Sequence, residues 1–287
     1  MAQNIPQTVR QWNINGQGSF DNLQFSEQPV QAPGDHEVLV KIQGASLNNP
    51  PPLTIIPQYR TVLSVGKHVT RFKPGDKVIT LFNQGHLGGS LDNLSVQTGL
   101  GGVLDGTLRT VGAFNENGLV PMPSNLNFIE AASLTCAGLT AWNALFGGTG
   151  GVSIFAVQFA KAAGARVIAT TSSDEKAELL RTLGADHIIN YRETPPGAPR
   201  PRSSPEAWAV RMDGPGFLDA LTHICHVRGV LVGNRVQMEE MCRAVEANPE
   251  KLRPVIDPKV FTLDQLKEAY EYQWSGKHQG KVGIKIE

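Results

Sequence analysis

The sequence predicts an α/β fold in two parts: a β-rich stretch over roughly the first 126 residues, then a region of alternating helices and strands. Three observations support this. Glu37-Val38-Leu39-Val40-Lys41-Ile42 alternates as a half-buried strand does, and Asp76-Lys77-Val78-Ile79-Thr80 follows a Pro74-Gly75 turn, the pattern of a small barrel. From about Phe128 the pattern turns helical and then alternates helix with strand, as a parallel sheet requires. Within this second region lies a glycine-rich turn, Gly148-Thr149-Gly150-Gly151-Val152, running into a helix that reaches Lys161, with the strand Arg166–Thr171 after the break at Gly164. Turn, helix and strand in that order form two thirds of a dinucleotide-binding βαβ unit. Its glycines let backbone approach a pyrophosphate, whose charge then sits on the helix N-terminus.

The third part of that unit is missing. A short β-branched strand should precede the turn, but Leu139-Thr140-Ala141-Trp142-Asn143-Ala144-Leu145-Phe146 abuts the glycines. This segment continues a helix that starts near Phe128, with Asn127 and Glu130 spaced as N-cap and N3 partner. The reading is that the strand is absent, the alternative being that the helix tail supplies an edge strand.

Further along, Ser172 and Glu175 predict a second capping box, opening a helix over Lys176–Leu183 that Gly184 ends. A strand His187–Asn190 follows. Residues 194–206 are proline-rich and basic, unable to hold a helix or fill a ladder, and read as a surface insertion rather than a docking ligand. Beyond it the pattern predicts a helix over Phe217–Cys225, a strand Gly229–Val232, helices Met238–Ala247 and Leu263–Trp274, and a last strand Val282–Ile286.

Bulk properties narrow the class. The 287 residues carry 26 Lys+Arg against 26 Asp+Glu, so no net charge draws the chain to nucleic acid or an anionic membrane. Cys136, Cys225 and Cys242 lie far apart with no CxxC, which suits a reducing compartment. The N-terminus lacks a signal-peptide layout and no apolar run reaches membrane length. A cytoplasmic protein acting on a small molecule is expected, with a homodimer left open.

Taken together, these blocks resemble the medium-chain dehydrogenase/reductase superfamily, in its zinc-independent, quinone oxidoreductase-like branch. The resemblance rests on Val65–Val78, on Glu130–Leu134 with Gly138–Trp142, on Gly184–Tyr191 and on Gly280-Lys281-Val282. It implies a GroES-like barrel over 1–126, completed by 254–287, and an incomplete Rossmann-type parallel-sheet domain over 127–253. The chain departs from the family at block junctions. Asn49-Pro50-Pro51-Pro52 leads almost directly to Val65, removing much of a substrate-cleft wall, and the region after the proline tract is compressed. This pattern reads as a shortened form.

Where zinc-using relatives place cysteine, this chain has Ser46-Leu47-Asn48, and no Gly-His-Glu triplet follows. His223 and His226 share a helical face that Cys225 does not, and no second cluster completes a metal site. No metal is expected. NAD-preferring folds place a carboxylate at the end of the second strand. Here Thr170-Thr171-Ser172-Ser173, with Lys176 a turn later, suits the 2′-phosphate of NADP(H), although Asp174 and Glu175 oppose it. The resemblance implies Gly148, Gly150, Gly151 and Val152 at the pyrophosphate, Ser172, Lys176 and Tyr191 at the adenosine end, and Thr140, Asn234 and Lys281 elsewhere along the cofactor. Asn48 is the barrel residue implied near hydride transfer, where the family acts on quinones, enones and other activated alkenes or on alcohols and aldehydes. A non-catalytic remnant is the alternative.

Overall fold

A computed structural model of the chain describes residues 5–14, 22–48, 57–101, 103–146, 153–171, 173–190 and 229–286. They fall into two units, Met1–Leu139 with Val232–Glu287, and Thr140–Leu231.

The first unit is built on antiparallel sheet. Strands β1 (Thr8–Ile14) and β2 (Leu23–Pro29) form a hairpin. Strands β3 (Glu37–Ser46), β4 (Pro57–Val65), β5 (Lys77–Thr80), β6 (Val111–Asn115) and β7 (Leu119–Pro121) belong to a larger sheet. Two strands of the second unit, β8 (Ile168–Thr171) and β9 (His187–Asn190), come next in sequence. The chain then returns to the first unit with β10 (Phe261–Thr262) and β11 (Gly283–Lys285). The large sheet runs β10-β11-β3-β4-β5-β7, with β6 also on β3.

Alternation along β3 explains its burial on both faces. Val38 and Val40 enter one core with Val62, Phe72, Val78, Phe114 and Leu119, while Leu39 packs on the other side with Val9, Leu63 and Val111. Register shifts at Ile42/Gly44 and Gly44/Ala45 re-aim the strand. Ile42, Ala45 and Leu47 thereby join a further core with Phe261, Leu266, Val282 and Ile284. The expected strands at 37–42 and 76–80 are therefore present, the second starting at Lys77.

A short α1 (Asn93–Val96) precedes α2 (Phe128–Ala132), which opens at the expected capping box. The Asn127 side chain accepts from the Ile129 and Glu130 amides at 2.9 and 3.0 Å, and Glu130 accepts from the Asn127 amide at 2.9 Å. Glu130 is also held by the Arg253 guanidinium, Nε to Oε1 2.7 Å. The single helix expected from Phe128 to Phe146 is instead three pieces: α2, a wide π-helical turn Leu134–Gly138, and α3 (Leu139–Phe146). Leu139–Phe146 is thus helix, and no part of it serves as an edge strand. The residues that would hold the glycine turn, 147–152, lie outside the described residues.

In the second unit, α4 (Ser153–Ala162) leads to β8, and α5 (Asp174–Thr182) joins β8 to β9, which pair in parallel. The cap of α5 corrects the sequence reading by one residue. Ser173 accepts from the Lys176 amide, and the helix opens at Asp174, not at Lys176. Asp174 and Glu175 therefore occupy the first turn, where helix polarity favours negative charge. Gly184 follows the C-cap as expected, with φ +90°.

Gly229–Val232 is not a strand: Val232 has φ +53°, which breaks extended backbone immediately before the next helix. That helix, α6, starts earlier than expected and spans Arg235–Ala247; α7 (Pro249–Leu252) follows. The last predicted helix begins as a 3₁₀ turn, Leu263–Gln265, before α8 (Leu266–Trp274). The helix expected over 217–225, residues His223 and His226, and the whole proline tract at 194–206 lie outside the described residues. Among the described residues, no helix is long and apolar enough to cross a membrane.

The α2 cap yields a direct test. Asn127→Ala removes the acceptor for two helix amides and should cost about 1 kcal/mol of stability, read as a lower urea midpoint with unchanged slope. A midpoint within error of wild type would show that the cap is dispensable.

Candidate functional site

The end of β3 meets the start of β11. Leu47 N–H donates to the Val282 carbonyl at 3.0 Å, continuing the ladder past Ser46↔Gly283. Lys281, just before β11, is aimed by its own backbone: its amide donates to the Val255 carbonyl at 3.0 Å, and its carbonyl accepts from the Asp257 amide at 3.0 Å. Gly280 makes this possible. It sits at φ +83°, and a Cβ there would lie 2.4 Å from the Val255 oxygen.

From this mount the Lys281 ammonium donates to Asn48 Oδ1 at 2.7 Å and to the Leu47 carbonyl at 2.5 Å. Asn48 Nδ2 in turn donates to the Ser46 carbonyl at 3.3 Å. The Ser46 hydroxyl is buried and has no hydrogen-bond partner among the described residues. Lys281 is half-buried as a residue, and desolvation of its ammonium pushes its pKa down to about 8. Cys136, half-buried in the π-helical turn, is near enough to oppose that shift. That turn is tied to β5 by Thr135 Oγ1, which donates to the Thr80 carbonyl at 3.0 Å. Spacing alone could not have put Cys136 beside a residue so distant in sequence.

The other expected site residues are distributed differently. Asn234 is buried and caps α6: it accepts from the Gln237 amide at 2.9 Å, while its Nδ2 donates to the Gly89 carbonyl at 3.2 Å. It therefore ties α6 to a loop of the first unit. In the second unit, Thr140 lies half-buried in α3 and Lys176 half-buried in the first turn of α5, one turn beyond Thr170 and Thr171 of β8. Gly148, Gly150, Gly151, Val152, Ser172 and Tyr191 lie outside the described residues.

Zinc does not fit the end of β3. A catalytic zinc needs three nitrogen, thiolate or carboxylate ligands. Here the side chains are a neutral hydroxyl, an amide and an ammonium that repels a cation. Among the described residues, no group of three or more His, Cys, Asp and Glu could hold a metal ion. The cluster is instead rich in hydrogen-bond donors.

The Lys281 pKa has a signed consequence for stability. Its folded value lies below the unfolded 10.5, so the unfolded chain binds more protons between about pH 8 and 10.5. Its contribution to stability is therefore greatest above pH 10.5 and is lost as pH falls through about 8. The stability of wild type relative to Lys281→Met should rise across this window, at no more than about 1.4 kcal/mol per pH unit. Urea unfolding of both proteins at pH 7, 8, 9 and 10 measures it; a constant difference would contradict the burial of this ammonium.

Comparisons with known proteins agree with the fold. Family models described as zinc-binding dehydrogenase match residues 151–233 and 201–282. A zinc-type alcohol dehydrogenase-like protein of Schizosaccharomyces pombe is 37% identical, over 93% of this chain and 96% of its own length. That match runs over 336 positions against a chain of 287 residues, so the relative carries dozens of internal residues missing here. A 2-methylene-furan-3-one reductase of Solanum lycopersicum is 29% identical over 98% of this chain and 80% of its own. Among solved structures, a protein of Sinorhizobium meliloti 1021 assigned as an alcohol dehydrogenase superposes with TM-score 0.82 at 30% identity, over 98% of this chain and all of the other. A barrel-type sheet, a parallel βαβ remnant and near-complete alignment to these relatives lead to one conclusion: the chain belongs to the medium-chain dehydrogenase/reductase superfamily, in its alcohol dehydrogenase- and quinone oxidoreductase-like branch.

Proposed function

We propose that this chain is a zinc-independent, NADPH-using oxidoreductase for carbon–carbon double bonds conjugated to a carbonyl, as in enones and quinones, with turnover well below that of full-length relatives. The observation that carries this reading is the donor cluster at the end of β3, Asn48 held by Lys281 beside Ser46. Without a Lewis acid, a carbonyl is best activated by hydrogen bonds placed where negative charge develops. A conjugated alkene needs less activation than an isolated ketone, because its carbonyl oxygen collects the charge as an enolate. The similarity to a methylene-furanone reductase supports the same substrate class.

When bound, the dihydronicotinamide supplies the hydride to the β-carbon of the alkene. The chain's part is to position the reactants, to donate from the Asn48 amide to the carbonyl oxygen, and to admit the water that protonates the α-carbon. Lys176 and the exposed Thr170 hydroxyl would supply donors to a 2′-phosphate, while Thr171 is buried and donates to the Ser173 carbonyl. The glycine turn at Gly148, Gly150, Gly151 and Val152 would take the pyrophosphate, with Ser172 and Tyr191 toward the adenosine, Thr140 toward the nicotinamide and Asn234 approaching the cofactor from a returning segment. Low turnover follows from the internal residues this chain lacks relative to its yeast counterpart. A pyrophosphate turn is aimed by a strand clamped on both sides, and a shortened cleft wall admits water, which weakens each electrostatic contact.

Cofactor choice can be measured by quenching of protein fluorescence. NADPH should bind more tightly than NADH, and Lys176→Ala should weaken NADPH about tenfold or more, the worth of a charge-assisted contact, while leaving NADH nearly unchanged. Equal affinities in the parent chain would refute the phosphate reading.

Steady-state reduction of a quinone and enone panel with NADPH tests the rest. EDTA should leave any activity intact, and rates should fall far below those of the relatives. Family-level rates would show that the shortening is harmless, and loss of activity on chelation would restore a metal.

A further inference from the structure

We propose that a cavity in the first unit, between the β1–β2 hairpin and β3, is a binding site for a small α-hydroxycarboxylate with an apolar side chain. None of its lining residues belongs to the donor cluster at the end of β3 or to the residues assigned to the dinucleotide.

The cavity has a volume of about 310 Å³ and opens to solvent. Its walls are charged. Arg10 comes from β1, Glu27 from β2 and Lys41 from β3, with Thr110 and Val111 where β6 begins and Pro6 ahead of β1.

Strand register brings these residues together. Arg10 and Glu27 are directly opposed in the β1–β2 ladder, and Lys41 is opposed to Val111 in the β3–β6 ladder. The hairpin is fixed to the sheet at Thr110. Its hydroxyl accepts from the Arg10 amide at 3.0 Å, and its own amide donates to the Arg10 carbonyl at 2.9 Å. Val111 also packs in the core with Val9 and Leu39, so one wall of the cavity is the edge of that core.

Opposite charges that face each other across an antiparallel pair ordinarily interact. Here they do not. Among the described residues, Arg10, Glu27 and Lys41 make no ion pair and no side-chain hydrogen bond. The Thr110 hydroxyl serves there only as an acceptor, which leaves its proton to donate. Two cations and a carboxylate thus line one cavity with their hydrogen-bonding capacity unused.

Charge and donor count select the ligand. The cavity carries one surplus positive charge, which a monoanion balances. A carboxylate matches the planar fork of the Arg10 guanidinium, with the Lys41 ammonium as a second donor. Glu27 can only accept, so the ligand must carry a donor beside its carboxylate. A hydroxyl on the adjacent carbon supplies one without adding charge. An ammonium there would leave the surplus unbalanced and face two cations. A phosphate dianion brings a second charge and no donor, and Glu27 repels it. Pro6 and Val111 give the cavity an apolar part for the ligand's side chain.

Three probes that differ at one carbon test this on the full chain at low ionic strength, without dinucleotide: phenyllactate, phenylpropionate, which lacks the hydroxyl, and phenylalanine, which carries an ammonium in its place. Backbone amide shifts of 15N-labelled protein report binding. Phenyllactate should shift the amides of Arg10, Glu27 and Lys41 saturably and bind about tenfold tighter than phenylpropionate, the worth of a hydrogen bond to a charged group. Phenylalanine and inorganic phosphate should bind more weakly than phenyllactate. Arg10→Gln should weaken phenyllactate about tenfold or more, and Glu27→Met should erase its advantage over phenylpropionate. Both side chains are exposed, so urea midpoints should stay near wild type; if a variant fails to fold, the probe series on wild type decides. No saturable shift at these amides, equal binding of the three probes, tighter binding of phosphate, or phenyllactate binding unchanged in a folded Arg10→Gln variant would each overturn the proposal.

Discussion

The first unit depends on the pairing of one strand, β3. Its ten residues bond to β4 along one edge, and on the other edge they divide between β6 near the start and β11 near the end. Three cores draw residues from it, so register cannot slip without moving apolar side chains into water. At Gly44 a Cβ would lie 2.9 Å from the Phe128 carbonyl, so the strand is stripped of a side chain where the backbone of α2 presses against it. The same pairing carries Ser46, Leu47 and Asn48 to a fixed point beside the chain's last strand. Residues near the two ends of the sequence thus meet because β3 and β11 share a ladder.

A second constraint explains why Val65–Val78 forms a recognisable sequence block. The Glu116 carboxylate accepts from the Thr70 and Arg71 amides, both at 2.9 Å. Arg71 returns bonds to the Glu116 and Leu119 carbonyls at 2.7 and 3.0 Å and reaches Glu239 of α6 at 3.1 Å. Those hydrogen bonds hold the Glu116 carboxyl below its ordinary pKa against the desolvation that raises it, and desolvation lowers that of Arg71. Removing either partner would strand a largely desolvated charge, which costs more than the pair contributes. The block is therefore a brace between the sheet and α6, and it marks the fold rather than the chemistry.

What could be read from sequence was what local chemistry decides. The Asn127–Glu130 box was legible because both partners lie within one helical turn. The other predicted cap slipped from Ser172 to Ser173 because adjacent serines offer equivalent hydroxyls and the next two residues are both acidic. Gly229–Val232 looked like a strand by composition, but a strand exists only through its neighbours, and a positive φ at Val232 ends the extended run. The residues from Phe128 to Phe146 are mostly small or apolar and hold no Gly-Pro break, so the sequence read as one helix and concealed the π-helical turn Leu134–Gly138. Asn48 and Lys281 could each be singled out from their blocks, but nothing in the sequence joined them. Their contact spans almost the whole chain and depends on the β3–β11 register.

The two units are unequally equipped. The first has a seven-stranded sheet with several cores. Among the described residues of the second, the sheet is one parallel pair, β8 with β9, braced by Asp186, which accepts from Lys161 Nζ at 2.9 Å and from the Val167 amide at 2.7 Å. Parallel strands need both faces covered, and the buried side chains at hand come chiefly from Phe155, Val157 and Phe159 of α4 and Ala177 of α5. A dinucleotide that binds only the folded form stabilises it by mass action: at a hundred times its dissociation constant it would add about 2.7 kcal/mol. The hydrogen-bonding end of β3, in the other unit, is anchored by the pairing of its own sheet.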